Sequence, residues 1–303
     1  MKDKINLSII IVNYNSGDLL SKVIDSVRKN IVNIKYEIVV VDNKSTDKSL
    51  ALINSEFPVN IIKLDSNLGF SKANNIGADN SKGDFLYFLN PDAFIIDTYT
   101  ELLLDDLKKN DDVGIIAPEI LNMNGSLQYN ARLYPTIRRL FFYTFGVTKI
   151  LQNRYICDYK MEYFDNSKPI YSDWVSGAAF IMKKKTFDEV FGFDESFFLF
   201  YEDVDLCRKV KTLGYKIKYS PIAKVKHIWG GTSEGLKEFT QKEEFLSRFK
   251  YFKKHHNNII YNIIVLLTLF NIILRIVFFT IQWEPKKAVV FFKTLTIFRW
   301  RKK

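Results

Sequence analysis

An open α/β sheet, mostly parallel with some mixed pairing and covered by helices on both faces, is the fold class this sequence predicts. Three observations carry it. Short apolar runs recur through the N-terminal third, stretches with apolar residues at helical spacing separate them, and the runs lack polar–apolar alternation, as buried central strands do. The predicted strands are 7–12, 37–41, 60–64, 84–89 and 113–117, and runs such as Ser8-Ile9-Ile10-Ile11-Val12 and Ile38-Val39-Val40-Val41 are typical of them. The predicted helices are 18–29, 47–54, 71–80 and 98–110, the last with Thr98 and Glu101 spaced as a capping box. Strands joined by helices imply crossover connections and hence parallel pairing.

After residue 118 the pattern is broken by Gly, Pro, Asn and Tyr. An apolar run from Trp174 to Met182 is followed by a predicted helix at 202–214 that starts on acids, then by two short strand-like pieces at 216–220 and 224–228. No repeat or linker interrupts this part, so residues 1–240 read as one domain. Residues 241–303 read as a basic, apolar helical tail. Residues 1–240 carry 31 Lys+Arg and 31 Asp+Glu, whereas 241–303 carry 13 against three, so the whole net charge of +10 resides in the tail. A neutral body argues against a nucleic-acid groove, and a basic tail points to an anionic partner, most simply a membrane surface.

Within the tail, 259–283 is strongly apolar, but only 16 uncharged residues precede Arg275, fewer than the roughly 20 of a spanning helix. Basic residues flank it on both sides, Lys250, Lys253 and Lys254 before and Lys286, Lys287, Arg299 and Lys303 after. A helix lying in the interface, anchored by Trp283 and Trp300, fits best; a tilted or re-entrant span and a core helix are the alternatives. Cys157 and Cys207 make no disulfide framework or metal ribbon, and no signal-peptide core precedes the first strand, so an intracellular setting is expected.

In an open parallel sheet, ligands bind beyond the carboxyl ends of the strands. Here every strand end carries side-chain amides or carboxylates: Asn13 and Asn15, Asp42 and Asn43, Asp65 and Asn67, Asn90 and Asp92. No GxGxxG and no Gly-Lys-Ser/Thr occurs, which disfavours a dehydrogenase and a P-loop ATPase. Asp92, in an Asn-Pro-Asp corner, is placed to hold a divalent cation that bridges phosphates, or simply to cap the loop. Glu202, Asp203 and Asp205 fall in one helical turn behind an aromatic run; Glu202 and Asp205 share a face and Asp203 points elsewhere. Acids suit a helix N-terminus in any case, but three exceed what a cap needs, and one in a half-apolar setting would serve as general base. His227 precedes two glycines and is either structural or a ligand; Cys207 reads as a small buried hydrophobe.

These blocks in this order, Val39-Val40-Val41-Asp42-Asn43-Lys44-Ser45-Thr46-Asp47, Asn67-Leu68-Gly69-Phe70 with Ala73-Asn74-Asn75, Phe88-Leu89-Asn90-Pro91-Asp92, Ser176-Gly177-Ala178, Glu202-Asp203-Val204-Asp205 and His227, resemble a family-2 glycosyltransferase of GT-A fold. The resemblance is greatest to the bacterial rhamnosyltransferase-like branch and covers roughly residues 5–235, not the tail. It implies a nucleotide-diphosphate sugar donor and a Mg²⁺ or Mn²⁺ ion. By the same resemblance, Asp42 with the Asn13–Asn15 turn meets the base or ribose, and Asn67, Gly69 and Asn74 line the nucleotide pocket. Asn90-Pro91-Asp92 stands where many relatives have Asp-x-Asp, so Asp92 alone carries the metal charge, with His227 to complete the site. Asp203 is the implied base that deprotonates the acceptor, giving inversion, with Glu202 as the alternative, while Trp174, Ser176 and Gly177 shape the sugar and acceptor side. A saccharide or lipid-linked acceptor and addition of a single sugar are implied, since no Gln-x-x-Arg-Trp segment or set of spanning helices is present. The competing reading is a sugar-nucleotide-binding partner subunit without catalysis, against which the intact Glu202-Asp203 pair speaks. A nucleotidyltransferase would need a glycine-rich basic signature that residues 1–20 lack.

Overall fold

The computed structural model describes residues 5–54, 58–151, 153–228 and 237–296. The elements run β1 (Leu7–Asn13), α1 (Leu19–Asn30), β2 (Tyr36–Asp42), β3 (Asn60–Lys63), α2 (Gly69–Asp79), β4 (Phe85–Leu89), β5 (Ala93–Ile95), α3 (Thr100–Lys109) and β6 (Val113–Leu121). They continue with β7 (Ala131–Arg132), α4 (Ile137–Thr144), α5 (Val147–Ile150), β8 (Ile170–Ser172), β9 (Trp174–Val175), β10 (Ala179–Lys183), α6 (Lys184–Glu189) and α7 (Glu202–Thr212). The last are β11 (Lys216–His227), α8 (Lys237–His255), α9 (Asn258–Ile281) and α10 (Pro285–Thr294).

The main sheet has the order β3-β2-β1-β4-β10-β6-β11-β5, with β8 also pairing with β11. β3, β2, β1 and β4 are parallel to one another, as are β6 and β11. β10 enters between β4 and β6 antiparallel to both. This is the expected open mixed α/β sheet. Side chains alternate between its two faces. Ile9 and Ile11 of β1 join a core with Leu20, Val23, Ile24 and Val27 of α1 and Leu103, Leu104 and Leu107 of α3. Ile10 points the other way, into the core shared with Phe187 of α6 and Val204, Leu206 and Val210 of α7.

Three local expectations are corrected. The helix predicted over 47–54 is a single 3₁₀ turn at Leu50–Leu52. Asp47 Oδ1 takes the Ser49 backbone N–H and hydroxyl, and such a local side-chain bond competes with helix formation. Thr98 does not cap α3: the helix starts at Thr100, and Asp97 Oδ1 accepts from the Tyr99 N–H instead. The two pieces at 216–220 and 224–228 belong to one strand, β11, whose register shifts between Ser220 and Lys224. Pro221, which has no N–H to give the ladder, sits at that irregularity.

The boundary expected at residue 240 falls inside α8, which packs on the body. Ser247 Oγ donates to Leu199 O at 2.8 Å, and Arg248 Nε donates to the Tyr201 hydroxyl at 3.1 Å. The fully buried Asp205 of α7 lies 2.6 Å from His255 Nε2 and 2.9 Å from Lys254 Nζ. α9 contacts α8, α10 and α4, burying the stripe Ile264, Val265, Thr268, Asn271 and Ile272. It is, among the described residues, the one helix long and apolar enough to cross a membrane by length and composition. Trp283 is described, while Trp300, Arg299 and Lys303 lie outside the described residues, as do Gly230 and Gly231.

Candidate active site

At the carboxyl ends of β1 and β2, the polar side chains are spent on one another. Asn13 is fully buried; its amide donates to Asp42 Oδ1 (2.7 Å), Ser45 Oγ (3.0 Å) and Ser49 Oγ (2.8 Å), and its carbonyl oxygen accepts from Ser16 Oγ. Asp42 Oδ2 accepts from the Ser45 N–H. Asn15, at a positive φ of 50°, uses its side-chain oxygen to hold the Thr46 N–H. This network fixes the shape of the two loops, so Asn13 and Asp42 are placed as supports beneath the site.

The next residue forward opens onto a cleft of about 150 Å³ lined by Tyr14, Asn43, Asn67, Gly69, Phe70, Asn90 and Phe198 among others. Asn43 clamps the following loop at both ends of its amide: Oδ1 accepts from the Leu68 N–H and Nδ2 donates to Gly69 O. Asn67 Oδ1 accepts from the Gly69 N–H. Gly69 has φ +84°, and a Cβ there would lie 2.6 Å from Phe198 O, so only glycine allows this loop to touch the 198 segment. Phe70 N–H donates to the same Phe198 O at 2.7 Å. Asn74 is buried one turn further along α2, donating to Phe70 O, behind the cleft wall rather than in it.

The Asn-Pro-Asp corner ends β4. Asn90 Oδ1 and Asp92 Oδ1 are both buried without a hydrogen-bond partner, a costly state unless something else meets them. His227, at the end of β11, supplies the counterpart. Gln128 donates through Nε2 to Asn122 Oδ1, which fixes its amide so that Oε1 faces His227 Nδ1 at 2.7 Å. With Nδ1 against the Gln128 oxygen, Nε2 is left facing Asp92 Oδ1 at 3.2 Å, within ion-pair range but without hydrogen-bond alignment. A proton on Nε2 or a cation between the two atoms would satisfy this contact, and an acceptor on Nδ1 is the arrangement that orients metal-binding imidazoles elsewhere. No group of three or more His, Cys, Asp or Glu side chains converges among the described residues, so phosphate oxygens or water would complete such a site.

Across the Ser176-Gly177-Ala178 turn lies the acidic start of α7. The turn is tied to the corner by the Asn90 N–H, which donates to Ala178 O, and to the helix by the Gly177 N–H, which donates to Asp203 Oδ2 at 2.9 Å. Ser176 Oγ accepts weakly from the Ala178 N–H. Asp203 is half-buried, with its other oxygen on the Val204 N–H, whereas Glu202 is buried with Oε2 unpaired. Burial pushes both carboxyls up, Glu202 well above the usual carboxylate range because the Asp203 charge adds to it. The Gly177 and Val204 N–H groups and the Arg132 charge partly offset the rise at Asp203. Phe200 and Tyr201, just ahead, hold φ of 69° and 66°, unusual for aromatic residues and maintained by the α8 contacts to Leu199 and Tyr201.

Trp174 is buried, its indole N–H donating to Leu133 O and its ring stacked under Arg132 at 5.1 Å, so it supports the Arg132 guanidinium. Cys207 is buried and its thiol is pushed up by burial, as an inert hydrophobe would be. Asn43 was named at the end of β2 without a role of its own, and Phe198, Gln128 and Arg132 were not singled out from the sequence. Asn43 adjoins Asp42 in one motif and was within reach. The other three come from segments whose approach to the site depends on the antiparallel insertion of β10 and on the loop before α7.

The family profile of "Glycosyl transferase family 2" matches residues 8–191. The N-acetylglucosaminyl-diphospho-decaprenol L-rhamnosyltransferase of Mycobacterium tuberculosis is 26% identical over 239 residues, covering 73% of this chain and 75% of its own. Rhamnosyltransferase WbbL of Escherichia coli is 24% identical over 231 residues, covering 70% of this chain and 80% of its own. Among solved structures, a mannosyltransferase from Pyrobaculum calidifontis in complex with GDP-Man and Mn²⁺ superposes with a TM-score of 0.56 at 14% identity, over 97% of this chain and 75% of that one. GalNAc-T7 with UDP, GalNAc and Mn²⁺ gives a TM-score of 0.57 at 19% identity, over 75% of this chain and 44% of that one.

Proposed function

Because this chain belongs to glycosyl transferase family 2 and is a glycosyltransferase of GT-A fold, we propose that it transfers one sugar, with inversion, from a nucleotide-diphosphate sugar to an acceptor hydroxyl. The acceptor is a cell-surface polysaccharide or a lipid-linked saccharide, and dTDP-rhamnose is the favoured donor, with a UDP-hexose next. The single observation that carries this reading is the pair of acidic sites on either side of the Ser176-Gly177-Ala178 turn. One is a buried carboxylate facing the His227 imidazole, and the other a half-open carboxylate with raised proton affinity. The rhamnosyltransferase relatives support the choice of donor and acceptor.

The residues divide the work. The cleft between Asn43, Asn67, Gly69 and Phe198 takes the nucleotide, held in shape by Asn13, Asn15 and Asp42 from below and by Asn74 from behind. Asp92 Oδ1 and His227 Nε2 would hold Mg²⁺ or Mn²⁺, which when bound would supply positive charge to the diphosphate leaving group. Asp203 takes the proton of the acceptor hydroxyl as its oxygen bonds to the anomeric carbon and the bond to the diphosphate breaks. A sugar hydroxyl is a weak acid, so the base must be both positioned and of raised affinity for the proton. The Gly177 N–H fixes the orientation of Asp203, and the raised proton affinity of Glu202 beside it opposes a second negative charge in the site.

The tail brings the enzyme to the inner face of the cell membrane as a peripheral protein in the cytoplasm. One stripe of α9 faces the protein, and Arg275 continues that stripe: its Nε donates to Asn271 Oδ1 and its guanidinium lies over the Phe291 ring. The remaining surface of α9 is apolar and exposed, which suits a helix lying in the interface. The test of the whole reading is a thermal-shift panel of dTDP, UDP, GDP, CMP and their common sugars with and without Mn²⁺. A Mn²⁺-dependent rise confined to one nucleotide is expected; no rise with any of them would leave the non-catalytic partner-subunit reading.

A further inference from the structure

The apolar surface of the tail does not end with the tail. Phe270 of α9 meets Phe145, just after α4, with ring centroids 5.8 Å apart, and Phe145 meets Phe141 at 4.9 Å. Asn271 Nδ2 donates to Thr144 O, so the two helices are also joined by a polar contact. Beyond α4, Ile150 is 81% exposed, Leu151 53% and Tyr155 67%. On a helix of four residues and the loop after it, that is far more apolar surface than folding requires.

The charge of the same segment is one-sided. Residues 137–157 contain Arg138, Arg139, Lys149 and Arg154 and no acid. Asp158 pairs with Arg138 and Arg139, which leaves Lys149 and Arg154 exposed beside the apolar residues. Lys286 and Lys287 at the start of α10 border the other end of α9. An apolar face rimmed by cations fits an anionic bilayer surface. It fits a second copy of itself poorly, because the like charges would meet.

We propose that residues 137–155 are a second membrane-contacting element, continuous with α9, and that the two together set the acceptor side of the active site against the bilayer. The inference rests on the membrane reading of the tail given above. A contact path supports the orientation: Tyr143 of α4 meets Tyr159 at 5.4 Å, Tyr159 meets Trp174 at 6.4 Å, and Arg132 lies over Trp174. Arg132 is the cation whose charge acts on Asp203. A saccharide carried on a membrane lipid would thus be presented next to the base, with no need for the acceptor to leave the surface.

The experiment uses the full chain with vesicles of phosphatidylcholine alone or with 30% phosphatidylglycerol. The double variant Ile150→Asn/Leu151→Ser, at exposed positions, should keep the wild-type melting temperature and bind the anionic vesicles about tenfold more weakly. An environment-sensitive dye on Leu151→Cys, in a Cys157→Ala/Cys207→Ala background, should shift to the blue on binding, while the same dye on Leu52→Cys should not. Wild type that does not bind would sink the membrane reading of the tail and this inference with it. Wild type that binds, with the double variant binding equally and no shift at position 151, would overturn this inference alone. A wild type that dimerises without lipid, and becomes monomeric on Ile150→Asn/Leu151→Ser, would also overturn it, giving the face to a second copy.

Discussion

The two ends of the catalytic cleft treat polar groups in opposite ways. Below the nucleotide side, Asn13, Asp42, Ser45 and Ser49 satisfy one another so completely that Asn13 has both ends of its amide engaged within the protein. At the corner and the start of α7, Asn90 Oδ1, Asp92 Oδ1 and Glu202 Oε2 are buried and unpaired. Leaving a buried polar atom unpaired costs about 1–3 kcal/mol, and these three sit together around one turn, whereas other unpaired atoms such as Ser71 Oγ lie apart. On the proposed reading, saturated polar residues shape the site and the unsaturated corner meets the ligand.

The largest effect should come from Asp203. Asp203→Asn keeps the size and the hydrogen bond from Gly177 but cannot accept a proton from an alcohol. Turnover should fall by about 10²–10⁴-fold, with donor affinity by calorimetry almost unchanged. A variant retaining near wild-type turnover would end the comparison on its catalytic side. Next comes Asp92→Ala, which removes the carboxylate that faces His227. Donor binding in Mn²⁺ should weaken on the order of 100-fold, and binding without the metal should change little. Equal loss with and without Mn²⁺ would make Asp92 a support of the corner instead.

Asn13→Ala tests the opposite end. It should leave Asp42 Oδ1 and two serine hydroxyls without their shared donor, destabilising the fold by about 2 kcal/mol in urea denaturation while adding little direct loss of donor contact. If donor affinity fell sharply and stability held, Asn13 would be a ligand group and the division between holding and acting would fail.

Much of this was legible in the sequence, for stated reasons. Buried parallel strands read as unbroken apolar runs, so β1, β2 and β4 and the polar residues after them could be located by periodicity alone. The meeting of Asp92 with His227 was stated from the resemblance and not from spacing, because 135 positions separate them and only the β5–β11 pairing, with His227 opposite Ala93, joins them. What could not be read was the place of β10. Its insertion against β4 puts Gly177 on Asp203, with Trp174 and Arg132 paired across β9 and β7 just before it, and no local pattern reports a long-range antiparallel pairing. The clamp of α8 on Tyr201 and Asp205 was hidden for another reason. A break in composition at residue 240 reflects charge, and charge says nothing about where a helix packs.

The smallest expected effect, and the finest test of the comparison, is on Glu202. Its carboxyl is buried and its proton affinity is raised by burial and then by the Asp203 charge. A carboxyl whose folded pKa is raised stabilises the fold fully below its ordinary range near 4.5, and that contribution is lost as pH rises through the raised value. Glu202→Gln removes the need to ionise. The variant should therefore match wild type in melting temperature near pH 4.5, and exceed it by a margin that widens as pH rises toward 8. Its turnover should fall less than that of Asp203→Asn, because the acceptor proton goes to Asp203 and an amide beside it adds no charge. A Glu202→Gln enzyme as inactive as Asp203→Asn would mean that Glu202 itself takes the acceptor proton. A margin that shrinks with pH would mean that the buried carboxylate is ionised and met by a cation.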